Sequence, residues 1–266
     1  MAHIYLTAYG VKLDVQVDDD GLIPAVEEVL PPGWERSSEF PEDGHFTLSR
    51  SGGGGYDVVV DRVPVATRLA EDAALHVLDS ELRMRVATLA EDRIFVHAGV
   101  VSVGGRGLLI PGKSFSGKTT LVAALIGQGA EYYSDEFAVL DAAGLAHPYP
   151  RRLSLRTDGT FREYADAGAL GGRTGSAPVR PILIAITRFS PGQRWDPEPR
   201  GPGIGALALL SHAAAVRPRT EAAMEAISKA VAGATVLEGD RGEASETAKL
   251  MLAALEAMDA PVSVTP

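Results

Sequence analysis

The chain has 266 residues, of which 45% are hydrophobic and 23% charged, and its formal net charge is −10. This length allows one large domain or two smaller ones. The acidic balance argues against nucleic acid or anionic membranes as partners, since both need a basic surface. The absence of cysteine excludes disulfides, thiolate catalysis and cysteine-ligated metals. With neither a signal-peptide pattern nor an apolar run of ~18–20 residues, we expect a cytoplasmic protein that contacts no membrane.

Residues 1–65 predict a small α+β module. The alternating apolar residues over 3–17 predict two short strands, and residues 24–30 predict a short helix that opens with proline. Residues 46–48 and 56–60 predict further strands on either side of a glycine-rich turn.

A second domain is expected over residues 66–266. It opens with helical spacing over residues 66–89, which predicts one long amphipathic helix. Val96 and residues 100–103 predict a strand, and residues 108–110 predict a strand that returns after a turn of glycines. This hairpin argues against the common doubly wound nucleotide-binding fold, in which the strand before the phosphate loop is parallel to its neighbours.

Residues 112–119, Gly-Lys-Ser-Phe-Ser-Gly-Lys-Thr, match the phosphate-binding loop G-x-x-x-x-G-K-[ST]. A strand precedes the loop and a helical pattern follows it, which disfavours an ordinary glycine-rich turn. Backbone N–H groups and the helix N-terminus would bind phosphate, Lys118 would reach the β- and γ-phosphates, and Thr119 would bind Mg²⁺. The loop predicts a nucleoside triphosphate ligand, with these nucleotide-binding residues: Gly112, Ser114, Ser116, Gly117, Lys118, Thr119 and Thr120.

Asp135 and Glu136 are the best-placed acids for the second half of such a site. They lie in a strand predicted over residues 132–140, after the loop helix. Mg²⁺ needs hard oxygen ligands, and a transferred phosphoryl group needs a positioned acceptor. Neighbours on a regular strand point to opposite faces, so one of these acids could be structural unless the backbone twists there. His97, taken alone, is typical of a buried core histidine.

The remaining sequence alternates between strands, helices and one proline-rich segment. Residues 191–205 contain four prolines and four glycines and predict a loop or mobile flap. The other expected elements are a strand over residues 181–189, helices over 206–215 and 220–232, a strand over 234–237 and a helix over 245–258.

These motifs together resemble the HPr kinase/phosphorylase superfamily. The matching residues are Val96-His97-Ala98-Gly99-Val100, Gly107-Leu108-Leu109-Ile110, Gly112-x-Ser114-x-x-Gly117-Lys118-Thr119 and Ser134-Asp135-Glu136. The resemblance implies an α/β fold with a phosphate-loop core and mixed sheet, shared with phosphoenolpyruvate carboxykinases.

The resemblance also implies roles for the site residues. The acid at Asp135 would handle the proton of the acceptor hydroxyl, assisted by His97. Glu136 would belong to the metal site with Thr119, and Lys118 would neutralise phosphate charge. The candidate metal ligands are thus Thr119, Glu136 and Asp135, and the expected cofactors are ATP and Mg²⁺.

The chain departs from true HPr kinases after the acidic pair. The Arg-Gly-x-Gly signature is absent, and residues 148–156 read Pro-Tyr-Pro-Arg-Arg-Leu-Ser-Leu-Arg. This segment is more similar to the smaller HPr-kinase-like proteins of biosynthetic clusters, including lasso-peptide kinases. Arg152 and Arg156 are either contacts for the γ-phosphate or an anionic acceptor, or ordinary surface arginines.

We therefore expect a Mg-ATP-dependent kinase acting on a hydroxyl, either a peptide serine or a small polyol or sugar. The alternative is a regulatory protein that binds ATP without transferring it. A carboxykinase-like enzyme would need further metal ligands, for which the sequence offers no lysine–histidine set. Family members often form oligomers, so a homo-oligomer is a further expectation.

Overall fold

The computed structural model describes residues 1–157, 161–214 and 216–258, without the side chains of residues 156, 157 and 161–163. Contacts divide the chain into two units, Met1–Asp92 and Arg93–Pro266. Both contain mixed sheets and helices, so the chain is an α/β protein. No described helix combines the length and the apolar character that a membrane crossing requires.

The first unit is a six-stranded sheet with two helices. Its strands are β1 (Ala2–Ala8), β2 (Val11–Val17), β3 (Glu35–Arg36), β4 (Gly44–Arg50), β5 (Tyr56–Val60) and β6 (Val63–Leu69), and its helices are α1 (Ile23–Val29) and α2 (Glu71–Leu89). The sheet order is β3-β1-β2-β4-β5-β6. Of these neighbours, β2 and β4 run parallel and the others antiparallel.

The single helix predicted over residues 66–89 is wrong at its start. Residues up to Leu69 belong to β6, which pairs with β5, and the helix begins at Glu71. The apolar spacing here fits either structure, and the pairing partner decides between them. Because α2 contacts β4 and β5, it belongs to the first unit. The division therefore falls after Asp92 rather than at the predicted residue 65.

The second unit is built on a mixed sheet. Its strands are β7 (Ile94–Val103), β8 (Arg106–Pro111), β9 (Glu131–Ser134), β10 (Phe137–Leu140), β11 (Ala146–His147), β12 (Leu153–Thr157), β13 (Phe161–Ala165), β14 (Arg180–Phe189), β15 (Glu198–Arg200) and β16 (Thr235–Arg241). Its helices are α3 (Lys118–Ile126), α4 (Pro202–Leu210), α5 (Thr220–Val231) and α6 (Ala244–Ala257). The sheet order is β11-β10-β7-β8-β14-β16-β15, β9 also pairs with β7, and β12 pairs with β13.

Helices cover both faces of this mixed sheet. On one face α3 and α6 share an apolar cluster with Leu108 and Ile110 of β8. On the other face α4 and α5 share a cluster with Leu109 and Ile184. Strands β8, β14 and β16 are parallel neighbours, so their carboxyl ends meet at one edge of the sheet. Open α/β sheets bind ligands at such edges.

The predicted hairpin before the loop is confirmed. Strands β7 and β8 are antiparallel and are joined through Gly104 and Gly105, which both have positive φ. That backbone region costs glycine little, so the tight turn forms readily.

Three other predictions are wrong in part. The strand predicted over residues 132–140 is interrupted, because β9 ends before Asp135 and β10 begins after Glu136. The flap predicted over residues 191–205 instead contains edge strand β15 and the start of α4. The helix predicted over residues 206–215 therefore begins earlier, at Pro202, and already ends at Leu210, and residue 215 lies outside the described residues. Pairing with β16 orders this proline-rich segment, which its composition alone does not indicate.

Candidate phosphate-binding site

The loop of residues 112–119 connects the carboxyl end of β8 to the N-terminus of α3. Its first amide, on Gly112, donates to the carbonyl oxygen of His97 at 3.3 Å, which ties the loop to β7. At its other end Gly117 precedes the helix with a φ of 81°. A Cβ at Gly112 would lie 2.8 Å from Ser116 Oγ, so the loop turns closely on itself. The positive φ favours glycine at position 117, and a side chain at position 112 would displace Ser116.

Lys118 is held inside the loop. Its side-chain Nζ donates to the carbonyl oxygens of Gly112 at 2.8 Å and Lys113 at 2.9 Å. Burial lowers the pKa of Lys118 to about 8, and the carboxylates of Glu136 and Asp135 oppose that shift. The ammonium therefore lies in a partly desolvated loop with two acids within electrostatic reach, where an added anion would stabilise its charge.

Ser116 provides a second indication of an anion site. Its Oγ is buried and has no hydrogen-bond partner among the described residues. Phosphate oxygens would accept from this hydroxyl, and an unpaired buried hydroxyl is otherwise costly. Ser114 and Thr120, also predicted to contact nucleotide, are exposed. Phe115 at the loop tip is 81% exposed with a φ of 67°, an unusual backbone for a bulky residue.

Ser134 creates the interruption at the acidic pair. Its Oγ accepts from the backbone amides of Glu136 at 3.1 Å and Phe137 at 2.9 Å. These bonds substitute for part of the ladder to β7, whose register with β9 shifts between Val100 and Val101. The regular alternation of a strand thus stops at Asp135 and Glu136, which is the backbone irregularity that two functional acids would need.

Asp135 is buried between groups from three segments. Its carboxylate interacts with the hydroxyl of Thr119, and Oδ1 lies 2.9 Å from the hydroxyl of Tyr132. The Tyr132 hydroxyl also lies 2.9 Å from the carbonyl oxygen of Arg151, so its single proton serves one acceptor at a time. Burial raises the pKa of Asp135, while both hydroxyls and the charge of Arg151 lower it.

Glu136 is the more accessible acid and lies beside His97. Glu136 Oε1 and His97 Nε2 are 3.5 Å apart, and the side chains are 31% and 21% exposed, respectively. The main-chain amide of His97 donates to the carbonyl oxygen of His212 at 2.8 Å. The structure therefore pairs Thr119 with Asp135 and His97 with Glu136, whereas the resemblance pairs Thr119 with Glu136 and His97 with Asp135.

The arginines nearest the site differ from those selected by sequence. Arg152 contacts Tyr164 and Asp166, at 3.3 Å to the Tyr164 carbonyl oxygen and 3.7 Å to Asp166 Oδ1. The side chain of Arg156 lies outside the described residues. The neighbouring Arg151 is instead the one whose charge lowers the pKa of Asp135. Sequence pattern indicates an arginine-rich segment here without indicating which member faces the acid.

Sequence reasoning also missed Arg241, the last residue of β16. Its Nη2 donates to the carbonyl oxygens of Ser116 at 3.2 Å and Gly117 at 3.0 Å. The available signal was the position of Arg241 at the end of an apolar strand, but the predicted strand stopped at residue 237. Only the strand order shows that β16 ends beside the loop.

The side chains present are compatible with Mg²⁺ beside a phosphate. Thr119 and Asp135 offer hard oxygen atoms, the type that Mg²⁺ prefers, and Mg²⁺ usually takes few protein ligands together with phosphate and water. Within residues 1–157, 161–214 and 216–258, no group of three or more His, Asp or Glu side chains is placed to hold a metal ion. Compared with models of known families and with curated proteins, the sequence matches none.

Proposed function

We propose that the chain is a Mg-ATP-dependent kinase that transfers the γ-phosphoryl group to a hydroxyl acceptor. The supporting observation is that the loop between β8 and α3 brings Lys118 and Thr119 next to Asp135 at the interruption between β9 and β10. Phosphoryl transfer relies mainly on positioning and on charge stabilisation. A loop cation, a hydroxyl and a nearby carboxylate are the groups that such catalysis uses.

We assign the second unit to the phosphate-loop cores of the HPr-kinase and carboxykinase type. An antiparallel hairpin leads into its loop and its sheet is mixed, both of which agree with that assignment. The acceptor is a peptide serine or a small polyol or sugar.

Each residue near the loop has a part in this proposal. The amides at the start of α3 and the hydroxyl of Ser116 bind phosphate oxygens. Lys118 supplies positive charge to the β- and γ-phosphates. Mg²⁺, when bound, would neutralise negative charge that develops on the phosphate during transfer. Thr119 and Asp135 are the residues that would hold it.

The observed pairing separates the two acids. Asp135, buried beside Thr119, belongs to the metal side, and Tyr132 orients it. Glu136 and His97 are more accessible and lie together, so this pair positions the acceptor hydroxyl and receives its proton. General acid–base residues of this kind contribute about 10²–10⁴-fold to rate.

Asp135→Asn and Glu136→Gln test this assignment. Asp141→Asn is the control, because Asp141 follows the opposite end of β10 from Glu136 and pairs with His147 (Oδ2 to Nε2, 2.8 Å). ATP consumption is measured with serine peptides, polyols and sugars over a range of Mg²⁺. Asp135→Asn should require more Mg²⁺ and transfer slowly. Glu136→Gln should retain Mg-ATP affinity and transfer about 10²-fold more slowly.

Two results would contradict the proposal. Equal behaviour of the three variants would refute the separation of roles. Wild-type protein that binds ATP but phosphorylates no acceptor would favour the ATP-binding regulatory protein.

A further inference from the structure

Arg241 is a buried cation in contact with the phosphate loop. The residue is 3% exposed, and Nη2 donates to the carbonyl oxygens of Ser116 and Gly117, at 3.2 Å and 3.0 Å. Nη1 donates to the carbonyl oxygen of Gly242 at 3.2 Å. The guanidinium carbon lies 5.4 Å from the centre of the Phe189 ring. Arg241, at the end of β16, thus contacts the turn that precedes α3, and Phe189, at the end of the parallel strand β14, packs against its guanidinium.

The charge of Arg241 is incompletely balanced. Its buried Nε has no hydrogen-bond partner among the described residues. Burial lowers the pKa of the guanidinium, and the field of Glu243 raises it by less. Burying a cation in this way costs free energy unless an opposite charge is present. An anion bound at the loop would supply that charge.

The contact between Arg241 and the loop also explains why glycine occupies position 117. The Gly117 carbonyl oxygen accepts from Leu121 N at 3.1 Å, the first hydrogen bond of α3, and from Arg241 as well. A Cβ at Gly117 would lie 2.5 Å from Arg241 Nη2. Peptide carbonyls point away from the N–H groups of the same helical turn, so the guanidinium lies on the carbonyl side of the loop and the phosphate-binding amides face the other way.

We propose that Arg241 is a positioning residue of the phosphate loop. It holds the turn at Ser116 and Gly117 in the anion-binding conformation and places a buried positive charge behind it. A bound polyphosphate balances that charge. The inference rests on the proposed function only in taking the polyphosphate to be that of a nucleotide.

Arg241→Met removes the charge and the hydrogen bonds but keeps an apolar stem, whereas Arg241→Lys keeps the charge. Arg188→Met is the matched control, because Arg188 is 81% exposed and pairs with Asp240 on β16 at 2.8 Å. The measurements are hydrogen exchange at loop amides without ligand, and calorimetric affinity for ATP and inorganic pyrophosphate. Thermal unfolding is followed in parallel.

For Arg241→Met we expect faster exchange at residues 112–121 and at least tenfold weaker binding of ATP and pyrophosphate. Arg241→Lys should show exchange rates and affinities between those of Arg241→Met and the wild type. Arg188→Met should match the wild type in both. A contribution to stability alone would lower the melting temperature and leave the affinity of the folded protein at the wild-type value, which would overturn the inference. If Arg241→Met does not fold, the Arg241→Lys variant provides the test. Exchange rates and affinities equal to those of the wild type in that variant would also overturn the inference.

The experiment separates this inference from the proposed function. Wild-type protein that binds pyrophosphate but not ATP would refute the kinase, while the Arg241 inference would be judged on pyrophosphate and exchange. Binding of neither anion would overturn both.

Discussion

The hydroxyl of Tyr132 lies 2.9 Å from Asp135 Oδ1 and 2.9 Å from the carbonyl oxygen of Arg151. Tyr132 and Asp135 are both buried, so Asp135 cannot exchange this hydroxyl for bulk water. The hydroxyl therefore fixes the orientation of the acid beside the phosphate loop.

Tyr132→Phe should lower the free energy of unfolding by about 1–3 kcal/mol, because it leaves a buried acceptor unpaired. Phosphotransfer should slow as well, since Asp135 loses its orientation. Tyr133→Phe is the control, because the hydroxyl of Tyr133 donates to the carbonyl oxygen of Ala177 at 2.9 Å. Denaturant unfolding and ATP turnover measure the two effects. Equal loss of transfer in both variants would show that Tyr132 has no particular link to Asp135.

Lys118→Met should abolish measurable phosphotransfer and weaken ATP binding at least tenfold, because it removes the buried ammonium that the proposed function assigns to the β- and γ-phosphates. Lys113→Met changes an exposed lysine of the same loop and should bind ATP with no more than a severalfold loss. Titration calorimetry and turnover assays compare them. A Lys113 variant as defective as the Lys118 variant would indicate that total loop charge, and not this position, determines binding.

The pKa of Lys118 predicts a pH effect on folding. In the folded protein the value is about 8, against the ordinary value of 10.5. Between these values the unfolded chain binds more protons, so stability increases with pH in that window, and below pH 8 the penalty is fully present. From pH 8 to 9.5 the wild type should gain up to about 2 kcal/mol relative to Lys118→Met. Denaturant unfolding of both proteins at the same series of pH values tests this prediction. The same dependence of unfolding free energy on pH in both proteins would contradict it.

Ser134→Ala removes the acceptor for two backbone amides, on Glu136 and Phe137. The expected cost is about 1–3 kcal/mol of unfolding free energy, with slower phosphotransfer because both acids lose their backbone support. Ser102→Ala is a suitable control, since Ser102 is equally buried on β7 and donates to Glu131 at 3.2 Å. If Ser134→Ala loses stability but keeps full transfer, the interruption is not what positions the acids.

Part of the site can be predicted from the sequence because its residues are neighbours along the chain. The loop of residues 112–119 and the hairpin before it depend on local glycine geometry and on apolar runs a few residues long. The sequence therefore determined the loop, its flanking strand and helix, and the proximity of Asp135 to Glu136.

Long-range pairing decided the rest. Only the pairing of β9 and β10 with β7 shows that Thr119 faces Asp135 while His97 lies beside Glu136. Only the strand order β8-β14-β16 places Arg241 next to the loop. The division after Asp92 likewise depends on the strands that α2 packs against. Local propensity specifies which segments are strands or helices, but neighbours in space are chosen by burial and register over the whole sheet.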